Sequence, residues 1–64
     1  MNQKVLDSFI SERGIALEIL NKITAHITHH CNISPEDINY SHDGSIHYVN
    51  EQLSNIMEFL GIDN

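Results

Sequence analysis

The feature that most limits the possible folds is the apolar repeat in residues 15–31, IALEILNKITAHITHHC. At about 100° per residue, Ile15, Ala16, Leu17, Ile19, Leu20, Ile23 and Ile27 gather on one broad arc. Glu18, Asn21, Lys22, Thr24, Ala25 and Thr28 fall mostly on the other side. Strict alternation, the mark of a half-buried strand, fails at Ala16-Leu17 and at Ile19-Leu20. The stretch therefore reads as an amphipathic helix with one wide apolar face. Glu18 and Lys22 stand four apart in the favourable order, which adds about 0.3–0.5 kcal/mol. Ser34-Pro35 follows, so the helix is expected to end near Cys31 or Asn32.

Upstream, Val5, Leu6, Phe9 and Ile10 repeat at helical spacing within residues 2–13. Gly14 then suits a left-handed stop, with Ile15 reaching back to Ile10. The reading favours two helices parted at Gly14. Its competitor is one helix over residues 3–31, with a seam of Leu6, Phe9/Ile10, Arg13, Ala16/Leu17, Leu20, Ile23, Ile27 and His30. Those steps alternate three and four, as in a short coiled coil. Such a helix is roughly 40 Å long and asks for a dimer.

Downstream, Ser34-Pro35-Glu36-Asp37 carries N-terminal capping chemistry: Ser34 as cap, Pro35 at the first position, Asp37 completing an approximate capping box. That turn is expected to stop near Tyr40, because Ser41-His42-Asp43-Gly44 is turn-forming. A last helix is expected over residues 45–61, capped by Ser45 and closed by Gly61. Ile46, Val49, Leu53, Ile56, Met57 and Leu60 fall within about 100° on it. The alternative is a hairpin at 38–48 around Asp43-Gly44, pairing Tyr40 with Ile46 and Ile38 with Tyr48. The fold class read from these patterns is all-α, a small bundle of two to four helices completed by a homodimer. The alternative is α+β.

Sixty-four residues make a single small domain, residues 1–64, with little core of its own. One cysteine excludes an internal disulfide. A paired apolar stripe is the shortest route to a larger core, so a homodimer is expected. Asp7 and Ser8 interrupt the first apolar residues, so no secretory signal is read there. No run of about 20 apolar residues spans a membrane. A lone thiol without an export signal points to a cytoplasmic protein.

Charge narrows the function more than any motif does. The net charge is −6, and Lys4, Arg13 and Lys22 are the only basic residues. After Lys22 there is no lysine or arginine, while six acids remain. A surface that meets phosphates needs such cations, so direct nucleic-acid binding and anionic membranes are excluded as partners. An acidic surface fits a protein partner with a basic surface. Phe59 lies off the apolar stripe on the side of Tyr48 and Gln52, where an aromatic is free to meet a partner. The candidate contact set is Asp37, Tyr48, Glu51, Gln52, Glu58 and Phe59.

The densest group of metal-ligand types is His26, His29, His30 and Cys31. His26 and His30, four apart on a helix, with Cys31 would offer zinc an N/S set. The Glu of the zincin motif is replaced by Ile27, and no Cys-x-x-Cys spacing is present. Cys31 at a helix C-terminus faces the end of the dipole that disfavours a thiolate. There is no glycine-rich phosphate loop, and a chain this short hardly walls off a cleft. The expectation is a non-enzymatic, cofactor-free protein–protein interaction module, a small acidic regulator or inhibitor. Its alternatives are a small His/Cys zinc-binding domain and a helical dimerisation element. The five histidines could also make association or stability pH dependent between about pH 7.5 and 5.5, most directly through His26 and His30.

Overall fold

The computed structural model describes residues 2–62 and is all-α. It comprises two units, Met1–Ile33 and Ser34–Asn64, each built on one long helix. Helix α1 spans Gln3–Thr28 and helix α2 spans Tyr40–Leu60. Among the described residues there is no strand, none is buried, and no helix is long and apolar enough to cross a membrane.

Helix α1 starts at Asn2, whose side-chain Oδ1 accepts the backbone N–H groups of Lys4 at 3.0 Å and Val5 at 3.4 Å. These bonds satisfy two of the four donors that the first turn leaves free. Gln3 Nε2 donates to Asp7 Oδ1 at 2.9 Å one turn on, and Lys22 pairs with Glu18 at 3.4 Å as their spacing predicts.

The expected break at Gly14 does not occur, because α1 runs through it without a positive φ. The physical reason is the balance of costs. A glycine inside a helix costs about 1 kcal/mol against alanine. A break would strand up to four carbonyls and four N–H groups there. Arg13-Gly14 offers no side chain to cap a new start at Ile15.

The other end of α1 also departs from expectation. The helix stops at Thr28, three residues before Cys31. Thr28 Oγ1 donates back to the Thr24 carbonyl at 2.7 Å, a bond that competes with helical geometry. His30, Cys31 and Asn32 then take φ of 54°, 55° and 61°, a left-handed turn made without glycine. Two backbone bonds close it, Asn32 N–H to the His29 carbonyl and Ile33 N–H to the His30 carbonyl, both at 2.9 Å. A left-handed residue with a Cβ costs roughly 1–2 kcal/mol, and of these three only Asn32 is of a type that tolerates it well.

In the second unit Pro35–Asp37 forms the expected single turn, but Ser34 makes no side-chain capping bond and the turn ends at Ile38. The cap lies further on. Asn39 Oδ1 accepts the N–H of Ser41 at 2.9 Å and of His42 at 3.3 Å, while His42 Nδ1 accepts the Asn39 N–H at 3.1 Å. This is a capping box with histidine in the place usual for glutamate or glutamine. Asp43 adds an acid to the first turn, where the dipole favours it.

Helix α2 thus begins five residues before Ser45, and the hairpin alternative at 38–48 is not formed. A hairpin there needs Gly44 in the left-handed region, yet Gly61 is the positive-φ glycine among the described residues. Ser45, expected to cap, instead donates Oγ–H to the Ser41 carbonyl at 3.1 Å inside the helix. The C-terminus follows the sequence expectation. Gly61 has φ 75°, its N–H meets the Glu58 carbonyl at 3.1 Å, and the Ile62 N–H meets the Met57 carbonyl at 2.9 Å. Those bonds are a Schellman motif. Residues 62–64 read from the sequence as a frayed tail, of which Asp63 and Asn64 lie outside the described residues.

Candidate functional site

The second unit presents two opposed faces along α2. With Leu53 as reference, Ile46, Val49, Ile56, Met57 and Leu60 lie within about 60° of it. Ile46, Val49, Leu53 and Met57 are half-buried, so this stripe is the more shielded side. The opposite arc, about 120° wide, holds Glu51, Glu58, Tyr48, Phe59 and Gln52. Phe59 is 89% exposed and Tyr48 63%.

Five of the six residues in the predicted contact set therefore share one arc of one helix. Asp37, the sixth, sits in the turn Pro35–Asp37 rather than on α2. Tyr40 is absent from that set, yet it opens α2, falls on the arc beside Glu51 and Glu58, and is 95% exposed. Reading Asn39-x-x-His42 as a capping box would have brought Tyr40 into the helix and onto this face.

The arc combines charge with apolar area. Glu51 Oε1 stands 3.1 Å from His47 Nε2, an ion pair whenever the imidazole is protonated, and both side chains are well exposed. Glu58 and Asp43 have no cationic neighbour within ion-pair distance among the described residues. The unit contributes no lysine or arginine to balance them. An aromatic ring beside uncompensated carboxylates suits a cationic side chain, which meets a carboxylate and a ring face together.

The zinc set loses its geometric basis. It requires His30 to follow His26 by one turn of a continuing helix, but α1 ends at Thr28 and His30 is left-handed. His26 Nδ1 instead lies 3.5 Å from Asn32 Nδ2. Among the described residues no three His, Cys, Asp or Glu side chains are grouped to hold a metal ion. Cys31 is a free, half-buried thiol.

No protein family matches the chain, and no curated protein or solved structure matches it either.

Proposed function

We propose that this chain is a non-catalytic interaction module, a small acidic regulator or inhibitor that works as a homodimer and engages a basic protein surface. The observation that carries this reading is the outer arc of α2, where exposed Tyr40, Tyr48 and Phe59 flank Glu51 and Glu58 in a unit without lysine or arginine. Aromatic anchors dominate binding energy at protein interfaces, and three of them share this arc. The acids supply long-range attraction and orientation toward a cationic partner, and the rings supply affinity. A target that itself handles nucleic acid has such a cationic surface, so competition with that nucleic acid is one concrete form of the activity.

The test is affinity capture from a cell extract at low and high salt, with wild type beside a Glu51→Gln/Glu58→Gln variant and a Phe59→Ala variant. The expected result is retention of a basic protein by wild type at low salt. High salt should release it, and both variants should retain several-fold less. Retention indifferent to salt and to both substitutions would overturn the reading.

A second reading, the helical dimerisation element, is favoured by the unbroken 26-residue length of α1. An isolated helix of that length, rich in isoleucine and threonine, gains too little from propensity alone and draws its stability from a packed neighbour.

A further inference from the structure

We infer that the exposed arc of α2 takes an α-helical segment of its partner, one that carries arginine or lysine at every seventh residue. The inference rests on the basic protein partner of the proposed function and specifies what that partner presents.

The first observation is spacing. Gly44, Glu51 and Glu58 stand seven residues apart on α2, about 10.5 Å per interval, and drift only about 20° around the helix at each step. They form one nearly straight row of equal intervals. A partner helix laid along α2 repeats its own side chains at the same interval, so three of its residues meet the three points together, whichever way it runs. An extended strand does not match the row. Three strand residues span about 10 Å, but successive side chains alternate, so every second cation would face away. A helix also brings its own backbone bonds with it. An extended segment laid on α2 finds no backbone groups to pair with, because those of a helix interior already bond one another.

The second observation is charge. Glu51 and Glu58 supply two of the three points. His47 Nε2 lies 3.1 Å from Glu51 Oε1, yet the Glu51 side chain stays well exposed, and Glu58 has no cationic neighbour within ion-pair distance among the described residues. No lysine or arginine in residues 34–64 competes for this row. A cation brought opposite each carboxylate therefore finds complementary charge at the spacing a helix provides.

The third observation is the notch at the first point. Tyr40 and Tyr48 stand one turn before and one turn after Gly44, each about 40° to a side, and both are exposed. Between them Gly44 leaves open space, with nothing within 4 Å of a built Cβ. Gly44 is helical and has no positive φ, so α2 gains nothing from the conformational freedom of glycine there. A guanidinium set over Gly44 has a tyrosine ring on either side, a setting that favours arginine over lysine at this first point.

The probe is an alanine-based peptide of about 20 residues with arginine at every seventh position, its helicity followed by circular dichroism. A second peptide has the same composition with its arginines spread around the helix. A third keeps the arginine spacing but carries prolines that prevent helix formation. Each is titrated by calorimetry into the full chain at low salt, and into Gly44→Gln and Glu51→Gln/Glu58→Gln variants whose melting is measured alongside. The expected result is that the first peptide binds at least about fivefold more tightly than the other two. Gly44→Gln fills the notch with a good helix former and adds no charge, so it should raise the melting temperature while weakening the first peptide several-fold. A gain in melting temperature with no loss of binding would overturn the notch. Equal binding of all three peptides would overturn the inference and leave the acidic docking face standing on charge alone. Binding of the first peptide untouched by Glu51→Gln/Glu58→Gln would overturn the inference and the docking role of this arc together. Failure of every peptide to bind would overturn the inference, and salt-released retention of a basic protein from the extract would then leave the proposed function standing. The comparison of peptides on the wild-type chain decides even if a variant fails to fold.

Discussion

The two helices end in opposite ways. Helix α2 stops on Gly61, the residue type for which a left-handed φ of 75° carries no Cβ penalty, and two Schellman bonds take up its last carbonyls. Helix α1 stops without glycine, by turning His30, Cys31 and Asn32 left-handed in succession. Both ends close with backbone hydrogen bonds, but only the first does so with a residue suited to the task. The contrast teaches that a helix stop is legible when its residue types announce it and hidden when the chain accepts strain instead. Sites that hold such strain often do so for a reason outside local energetics.

The largest effect is expected from reversing the favourable end. Gly61→Val places a β-branched side chain at φ 75°, which that residue type essentially never adopts. It should cost α2 about 2 kcal/mol, read as earlier urea unfolding and faster amide exchange in the last two turns. Unchanged exchange there would mean that the last turn unwinds at no expense. The opposite change at the other end should be favourable. Cys31→Gly relieves one strained residue and should stabilise the first unit by roughly 1 kcal/mol. Destabilisation would show that the thiol side chain contributes more than the strain removes.

The starts of the helices sharpen the same comparison. Both are capped by asparagine, Asn2 for α1 and Asn39 for α2, but only Asn39 belongs to a reciprocal box. Asn39→Ala should therefore cost about 1 kcal/mol and more than Asn2→Ala, compared by thermal melting of the two variants.

The interior glycines give a matched pair of smaller effects. Gly14 in α1 and Gly44 in α2 are both helical, and neither has an atom within 4 Å of a built Cβ. Replacing each by alanine should raise stability by about 0.4–1 kcal/mol, whereas Gly61→Ala should lower it. A loss at Gly14 would indicate that the observed continuity of α1 is wrong and that the chain does bend there.

These positions also show what the sequence could express. The apolar stripes of both helices, the salt-bridged pair Glu18–Lys22 and the stop at Gly61 follow from spacing and residue type alone. The continuity across Gly14 does not, because a glycine's local preference is worth about 1 kcal/mol and loses to the helical bonds on both sides. The start of α2 was hidden because histidine is not the residue the capping-box signature looks for, and because Ser41-His42-Asp43-Gly44 has the composition of a turn. That one displacement kept Tyr40 off the expected contact face. The metal set rested on a related assumption, that helical register extended to His30, whereas register ended at Thr28.

The smallest expected effect tests the histidine in the box. The Asn39 N–H donates to His42 Nδ1 at 3.1 Å, the reciprocal half of the capping box. His42→Gln keeps an acceptor at the third helical position and should leave stability nearly unchanged, whereas His42→Ala removes the acceptor and should cost roughly 0.5 kcal/mol. Because the two halves of the box share one cap, Asn39→Ala and His42→Ala combined should cost less than the sum of the two single changes. Melting temperatures of the single and double variants at one pH would show the ordering. Equal melting of His42→Ala and His42→Gln would mean that water, rather than the His42 ring, satisfies the Asn39 N–H in solution.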